Sequence, residues 1–308
     1  MISLIGNSLL ITLIIMSGIG SLPSIVCRRL ILKKHIKLLF SSLVLITLAA
    51  ILLLEYAFIK TDLSLELVYL NSHHTKPLIF KIAGVWANHE GSMLLWVLVL
   101  CISGLLYLLI SKSSRIIESW VLIIQAFSIF LFSLYVYFTS NPFIKNLLKP
   151  AEGLGLNPIL QDIGLLFHPP SLYLGYVGFS IAYAIVIALA MHGKFERMAI
   201  RDLKIWTLFS WTVLTLGILL GSLWSYRELG WGGYWFWDPV ENASVIPWLI
   251  GNALLHSIFL YERRNVNFKS MVIYAILTYF AAMIGTFIVR SGMINSVHTF
   301  ASDPKRGF

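Results

Sequence analysis

Residues 38–59 read LLFSSLVLITLAAILLLEYAFI, an almost uninterrupted apolar run. At about 1.5 Å per residue, a helix of this length covers roughly 30 Å, which is the thickness of the hydrocarbon core of a bilayer. The bilayer core holds no water to satisfy backbone amides, so helices are the expected spans. This stretch therefore predicts a transmembrane helix.

Similar apolar runs recur along the whole chain. We predict spans, within several residues, at about 5–25, 38–59, 92–111, 116–138, 171–192, 205–225, 244–261 and 270–289. The composition agrees, since 58% of the 308 residues are hydrophobic and 12% are charged, against about a quarter charged in soluble domains. The mean hydropathy is +0.83. The predicted fold class is all-α, a polytopic transmembrane helical bundle of about eight spans that forms one membrane domain over residues 1–308.

Positive charge is concentrated in the short loops after the first, third, fifth and seventh predicted spans. These loops and their flanks carry Arg28, Arg29, Lys33, Lys34, Lys37, Lys112, Arg115, Lys194, Arg197, Arg201, Lys204, Arg263, Arg264 and Lys269. By the positive-inside rule these loops are cytoplasmic. Both termini and the long segments 60–91, 139–170 and 226–243 then lie outside. The net charge of +9 follows from this topology, so membrane lipid is an expected partner and nucleic acid is not.

The N-terminal segment and the cysteines exclude two further interpretations. The basic cluster follows the first apolar run instead of preceding it, which favours a retained helix over a cleavable signal peptide. Cys27 and Cys101 are the two cysteines, and neither belongs to a C-x-x-C. The chain is therefore not expected to be a c-type cytochrome or a dithiol reductase of the usual kind.

Residues 231–238 read WGGYWFWD, which places five aromatic residues and one aspartate in a single predicted outer loop. One interpretation is an aromatic belt, since Trp and Tyr favour the membrane interface. Belts, however, are distributed over many helix ends. Gly232 and Gly233 would let this loop lie close to a flat ligand, and the aromatic faces suit a large planar molecule. The second interpretation is therefore a platform for a planar ligand.

Two histidines lie on the predicted outer side, before and after this loop. His168 precedes Pro169 and Pro170 at the predicted start of the fifth span, where prolines fix the backbone and need no amide donor. His298 follows the eighth span. Two neutral imidazoles can ligate a heme iron axially, although histidines in outer loops are common. His35, His73, His74 and His192 are interpreted as solvated or topological residues.

His256 lies near the middle of the seventh predicted span, where an ionisable side chain is costly and suggests a function. Ser244, Trp248, Asn252 and His256 recur at a spacing of four, so we expect them to share one helix face that leads from the aromatic loop to the histidine. Two interpretations stay open at this point: a hydrogen bond to a neighbouring helix, or an axial ligand to a second, buried heme.

The sequence resembles the CcmF/NrfE family, the heme lyases of System I cytochrome c maturation. The segments that carry the resemblance are WGGYWFWDPVENAS at 231–244, which contains the family's WWD motif, FHPP at 167–170, WANHEGS at 86–92 and GYVGFS at 175–180. In this family, the residues matching His168 and His298 are external ligands to the iron of the delivered heme. The residue matching His256 ligates a stable heme b inside the membrane, which would keep the delivered iron reduced.

The resemblance implies a function in cytochrome c maturation, as a heme lyase subunit. Residues 226–248 would form an external WWD heme-binding loop, with the pocket shaped by Trp231, Trp235, Trp237 and Asp238. The expected reaction is thioether attachment of heme b to an apocytochrome c. Expected partners are the apocytochrome, a heme chaperone and other maturation subunits. The expected location is the bacterial inner membrane, or alternatively the mitochondrial inner membrane.

The resemblance covers the N-terminal half of a protein about twice as long. The other half would carry further helices and the second membrane histidine of the heme b site. The sequence is therefore expected to be a fragment, a degraded gene or a split-gene subunit, whose partner would be a C-terminal CcmF half.

Three other functions were weighed. A heme transporter or chaperone of the CcmC type shares the WWD loop and the external histidines, but His256 and the 86–92 segment favour the CcmF type. A heme-handling protein of the CcsA type also uses this loop, but the N-terminal half of the present chain is longer than expected for that type. A generic ion or solute transporter predicts broken helices with charges at mid-membrane, and few candidates are present.

Overall fold

The computed structural model describes residues 1–22, 33–148, 150–193, 196–230, 232–266, 268–290 and 296. Within these ranges it is built from helices and contains no β-strand, only an isolated bridge between Leu65 and Lys145. The helices are α1 (Ile2–Gly20), α2 (Lys33–Lys60), α3 (Glu66–Asn71), α4 (Leu78–Gly84), α5 (His89–Ile110), α6 (Arg115–Thr139), α7 (Gly164–His192), α8 (Arg197–Glu228), α9 (Pro239–Arg264) and α10 (Phe268–Arg290), with a 3-10 turn at Pro158–Leu160.

Eight of these helices are long and apolar enough to cross a membrane. They are α1, α2, α5, α6, α7, α8, α9 and α10, so the predicted all-α bundle of eight spans is confirmed. Several helices extend beyond their predicted spans; α8, for example, covers 197–228 and not 205–225. The reason is physical: an apolar run measures the hydrocarbon thickness, whereas backbone hydrogen bonds continue the helix into the polar interface.

Helix α7 occupies the centre of the bundle. It packs against α5, α6, α8 and α10, while α9 packs against α8 and α10. Its approach to α8 is very close, because a methyl group on Gly175 would lie only 2.7 Å from the Cα of Leu214. Small residues allow such backbone approach between membrane helices. This packing holds the first turns of α7 beside the last turns of α8.

At one end of the bundle, Asp202 of α8 binds the predicted cytoplasmic loop that follows α5. Its Oδ2 accepts hydrogen bonds from Ser111 Oγ at 2.8 Å and from the backbone N–H groups of Lys112 and Ser113 at 2.9 and 3.0 Å. The long segments 60–91 and 139–170 meet at the opposite end. That this opposite end faces outward stays a prediction from the charge pattern.

Candidate functional site

A large cavity opens at the end of the bundle opposite Asp202. It lies among α7, α8, α9 and α10 and contains about 1160 Å³ of empty space, which includes its open mouth. His168, Trp86, Trp224, Trp235 and Glu241 are among the residues that line it. An apolar cavity with a few convergent polar groups is typical of a small-molecule site.

His168 is held in a defined orientation at the wall of this cavity. Its Nδ1 lies 2.8 Å from the carbonyl oxygen of Gly217 on α8. Because a carbonyl oxygen only accepts, Nδ1 must carry the proton, and Nε2 then carries the lone pair of the neutral ring. A hydrogen bond of this kind is the usual way to fix the tautomer of a metal-binding histidine. The ring packs directly on Gly221, where a methyl group would lie 2.8 Å from Nδ1.

The two prolines after His168 were predicted to stand at the helix entry, and this prediction is wrong. Helix α7 begins at Gly164, so Pro169 and Pro170 lie in its second turn. A proline has no N–H, so Pro169 leaves the carbonyl of Leu165 without its helical donor. The indole Nε1–H of Trp86 donates to this carbonyl at 2.8 Å. Trp86 thereby replaces the missing backbone donor and fixes the turn that carries His168.

The contact between Trp86 and Leu165 gives the 86–92 segment a structural role that sequence reasoning did not assign. The available signal was the proline pair itself. Each helical proline frees the carbonyl four residues earlier, and a buried carbonyl requires a donor from elsewhere. The proline pair in the sequence therefore indicates that a donor is needed, but it does not indicate which residue provides the donor.

Trp86→Phe is expected to destabilise the protein by about 1–3 kcal/mol, because it leaves the buried Leu165 carbonyl without a donor. In a Pro169→Ala background the backbone N–H returns, and the same Trp86 substitution should cost roughly 1 kcal/mol less. The measurement is a double-mutant cycle of unfolding in mixed detergent micelles. Equal costs in both backgrounds would contradict the proposed exchange of donors.

Within the aromatic loop, one tryptophan lines the cavity and other aromatic residues are exposed. Trp235 lines the cavity, whereas the side chains of Phe236 and Trp237 are 62% and 70% exposed. Trp237 has a φ of +59°, and its ring meets that of Trp235 edge to face, with the ring centroids 6.0 Å apart. Trp231, also predicted to shape the pocket, lies outside the described residues. Of the two predicted tryptophans that the structure describes, it brings Trp235 into the cavity.

Asp238 is the N-cap of α9. Its Oδ2 accepts from the backbone N–H of Val240 at 3.0 Å and from Ser296 Oγ at 2.6 Å. The N-cap position suits aspartate because the carboxylate satisfies an unpaired backbone donor. Asp238 is not among the residues that line the cavity. The structure gives it a role in ordering the loop, and its predicted contact with heme stays a prediction.

Glu241 joins the aromatic loop to the cavity, although it was not among the predicted site residues. Its Oε2 accepts from the backbone N–H groups of Phe236 and Asp238, at 3.0 and 3.1 Å. Its side chain also lines the cavity, and the residue is only 7% exposed. The Asp-x-x-Glu spacing is the pattern of a capping box, so the sequence contained a signal for the first role.

His256 does not share the cavity with His168. It lies on an exposed part of α9, while Ser244, at the other end of the predicted polar face, is buried. The expectation of one common face is therefore wrong. Residues four apart on a helix with 3.6 residues per turn are rotated by about 40°, so three steps rotate the face by roughly 120°. His298, the other predicted ligand, lies outside the described residues.

The surroundings of His256 fit one half of a heme site. The side chains of Leu249 and Phe259 on the same helix are 54% and 38% exposed, so the imidazole stands on an apolar surface that suits a porphyrin. Among the described residues no group of three or more His, Cys, Asp or Glu could hold a metal ion. This part of the chain offers one imidazole, and a second axial ligand would have to come from elsewhere.

The rim of the cavity carries a cation. Arg227, in the last turn of α8, pairs with Asp162 at 2.6 Å, and its side chain is 44% exposed. Its guanidinium lies beside Gly164, which lines the cavity. A guanidinium has five N–H groups, so Arg227 can donate to an anionic group in addition to Asp162.

The fold and this cavity define a multi-pass membrane protein with a histidine- and tryptophan-lined chamber at one end of its bundle. The model of the cytochrome C assembly protein family matches residues 86–294. The chain belongs to this family, and its relatives carry the names CcmF, CycK and NrfE. This is the family that the sequence resemblance implied.

Individual relatives agree with the family match. The CycK protein of Bradyrhizobium diazoefficiens is 52% identical over 250 residues, which cover 81% of this chain and 38% of the relative. The CcmF protein of Escherichia coli is 49% identical over 263 residues, covering 84% of this chain and 40% of the relative. A solved structure of the cytochrome c heme lyase CcmF has a TM-score of 0.81 and 31% identity, and the match covers 95% of this chain and 48% of that one. The chain spans about two fifths of the length of these curated relatives.

Proposed function

We propose that the chain binds heme as a substrate in the cavity and takes part in its covalent attachment to apocytochrome c. The observation that carries the proposal is the orientation of His168, whose Nδ1 is bonded to Gly217 at the wall of a cavity lined by aromatic side chains. A neutral imidazole with its lone pair on Nε2 is an axial ligand for heme iron.

The other residues of the site have complementary tasks in this proposal. His298 supplies the second axial ligand, and the indole of Trp235 contacts the porphyrin face, where aromatic packing is favourable. Trp231, Trp237 and Asp238 shape the outer part of the pocket. Arg227 at the rim is suited to a heme propionate, since arginine binds carboxylates through paired hydrogen bonds.

His256 would supply one axial ligand to a resident heme b, and the second would come from a C-terminal half of the protein. When bound, such a heme supplies electrons that keep the substrate iron reduced. The part played by this chain is to present an imidazole on an apolar helix face, which excludes water from that ligand and leaves it accessible to the second half.

The proposed reaction joins heme vinyl groups to the reduced cysteines of an apocytochrome C-x-x-C-H. The chain supplies binding and orientation, while the heme and the apocytochrome supply the reacting atoms. A heme chaperone and other maturation subunits are the expected partners. The bacterial inner membrane is the proposed location, with the mitochondrial inner membrane as the alternative.

Spectroscopic titration tests this proposal. The chain is purified in lipid nanodiscs, alone and with a CcmF C-terminal half, titrated with hemin, and recorded as reduced-minus-oxidised spectra. Saturable binding with a low-spin, six-coordinate spectrum is expected. If neither preparation binds heme, the proposal is contradicted. Heme binding without cytochrome attachment, in cells that lack their own CcmF, would instead favour the transporter or chaperone function.

A further inference from the structure

Glu241 has two carboxylate oxygens in different environments. Oε2 accepts two backbone hydrogen bonds from the aromatic loop, from Phe236 and Asp238. Oε1 is buried and has no hydrogen-bond partner among the residues that the structure describes, and Glu241 is one of the residues that line the cavity. The first oxygen is explained by the capping box, and the second is not.

The capping box alone does not require a glutamate. Glutamine serves equally well at this position, because its side-chain oxygen accepts the same backbone bonds. A carboxylate oxygen buried without a donor costs free energy, typically more than a neutral acceptor does. A donor on a molecule bound in the cavity would satisfy this oxygen.

Trp235 adds a second unsatisfied group to the same cavity. Within the described part of the chain, its indole Nε1–H is buried without a hydrogen-bond partner, and Trp235 is one of the residues that line the cavity. The cavity thus presents an acceptor on Glu241 and a donor on Trp235. A ligand group that both donates and accepts would satisfy the two together.

The reactants of the proposed function narrow the identity of that group. Heme propionates are acceptors at neutral pH, and vinyl groups neither donate nor accept. A cysteine thiol donates through its S–H and accepts at sulfur. It is also the group that must lose a proton before it can act as a nucleophile.

We propose that Glu241 is the proton acceptor for the apocytochrome cysteine in thioether formation; this rests on the proposed function. The carboxylate takes the thiol proton, and the sulfur forms a bond to the vinyl α-carbon. The vinyl π bond breaks, and the β-carbon takes a proton from the Glu241 carboxyl. The net change is addition of S–H across C=C, with no net oxidation, and Glu241 returns to its carboxylate form. The Trp235 N–H stabilises the negative charge on sulfur.

Glu241→Gln separates this role from the structural one, because glutamine keeps the loop contacts and loses the proton acceptor. The chain and a CcmF C-terminal half are produced together, and two quantities are measured: hemin affinity and the rate of covalent heme attachment to an apocytochrome. We expect E241Q to bind hemin within about twofold of the unsubstituted protein and to attach it at least about 100-fold more slowly. Glu228→Gln, an exposed carboxylate at the end of α8, is the matched control and should change neither quantity.

A second variant checks the loop contacts. Glu241→Ala removes both oxygens and should lower hemin affinity as well as attachment. Attachment by E241Q at the unsubstituted rate overturns the inference, and so does a loss of attachment fully matched by a loss of hemin binding. Absence of hemin binding by the unsubstituted protein would overturn the proposed function itself, which keeps the two failures distinguishable.

Discussion

His168→Ala is expected to lower the affinity of the protein for heme by at least about 100-fold. Loss of a group that only orients a metal ligand typically costs 10–100-fold in metal affinity, and loss of the ligand itself should cost more. The ring is hydrogen-bonded to the Gly217 carbonyl on α8, so the variant loses a ligand that is held in a defined orientation. The measurement is hemin titration of the purified protein in nanodiscs.

His192→Ala is the matched control, because His192 lies at the other end of the same helix α7. It should bind hemin as the unsubstituted protein does. His168→Gly with added imidazole provides a second check, since a small imidazole can occupy the vacated position and ligate the iron. Full hemin affinity in His168→Ala would rule out His168 as an iron ligand.

The second large effect is expected for Gly221→Ala, which alters no candidate ligand. A methyl group at this position would lie 2.8 Å from Nδ1 and 3.1 Å from Nε2 of His168. The ring must then move, and its bond to the Gly217 carbonyl is lost. We expect hemin affinity to fall by about 10–100-fold, the range for loss of an orienting contact.

The stability of this variant should not fall with its affinity, because alanine is a better helix former than glycine by about 1 kcal/mol. Gly18→Ala in α1 is the control, since its nearest neighbour atoms belong to the Phe130 side chain, at 3.2 Å, far from the cavity. Unchanged hemin affinity in Gly221→Ala would show that the orientation of His168 does not matter for binding.

The positions of the spans could be predicted because they depend on the hydropathy of consecutive residues, which is a local property. An apolar run of hydrocarbon length forms a helix in the membrane whatever its neighbours are, and all eight runs do so. The helix ends were less predictable. Helix α7 starts at Gly164, before the apolar run, because helical backbone hydrogen bonds also form in flanking residues that are not part of that run.

The site residues also fall into two groups, those that could be predicted from the sequence and those that could not. His168 and Trp235 were selected by residue type and motif, and both line the cavity. Trp86, Gly221 and Glu241 were not selected as site residues, because their roles depend on atoms contributed by distant parts of the chain. The rotation of His256 away from Ser244 is a local helical property, and a count of 3.6 residues per turn would have corrected it.

The amino-acid sequence was sufficient to predict the all-α membrane bundle, the family and the aromatic loop with its nearby histidines, because each depends on residues that are consecutive in the chain. Which of these residues meet depends on how the helices pack. The close packing of α7 on α8 orients His168 against Gly217 and Gly221. The capping of α9 directs Glu241 to the cavity. The capping bonds of Glu241 are local, but α7, α8 and α10 also build the cavity that it lines. A pattern of neighbouring residues therefore specifies neither the surroundings of His168 nor those of Glu241.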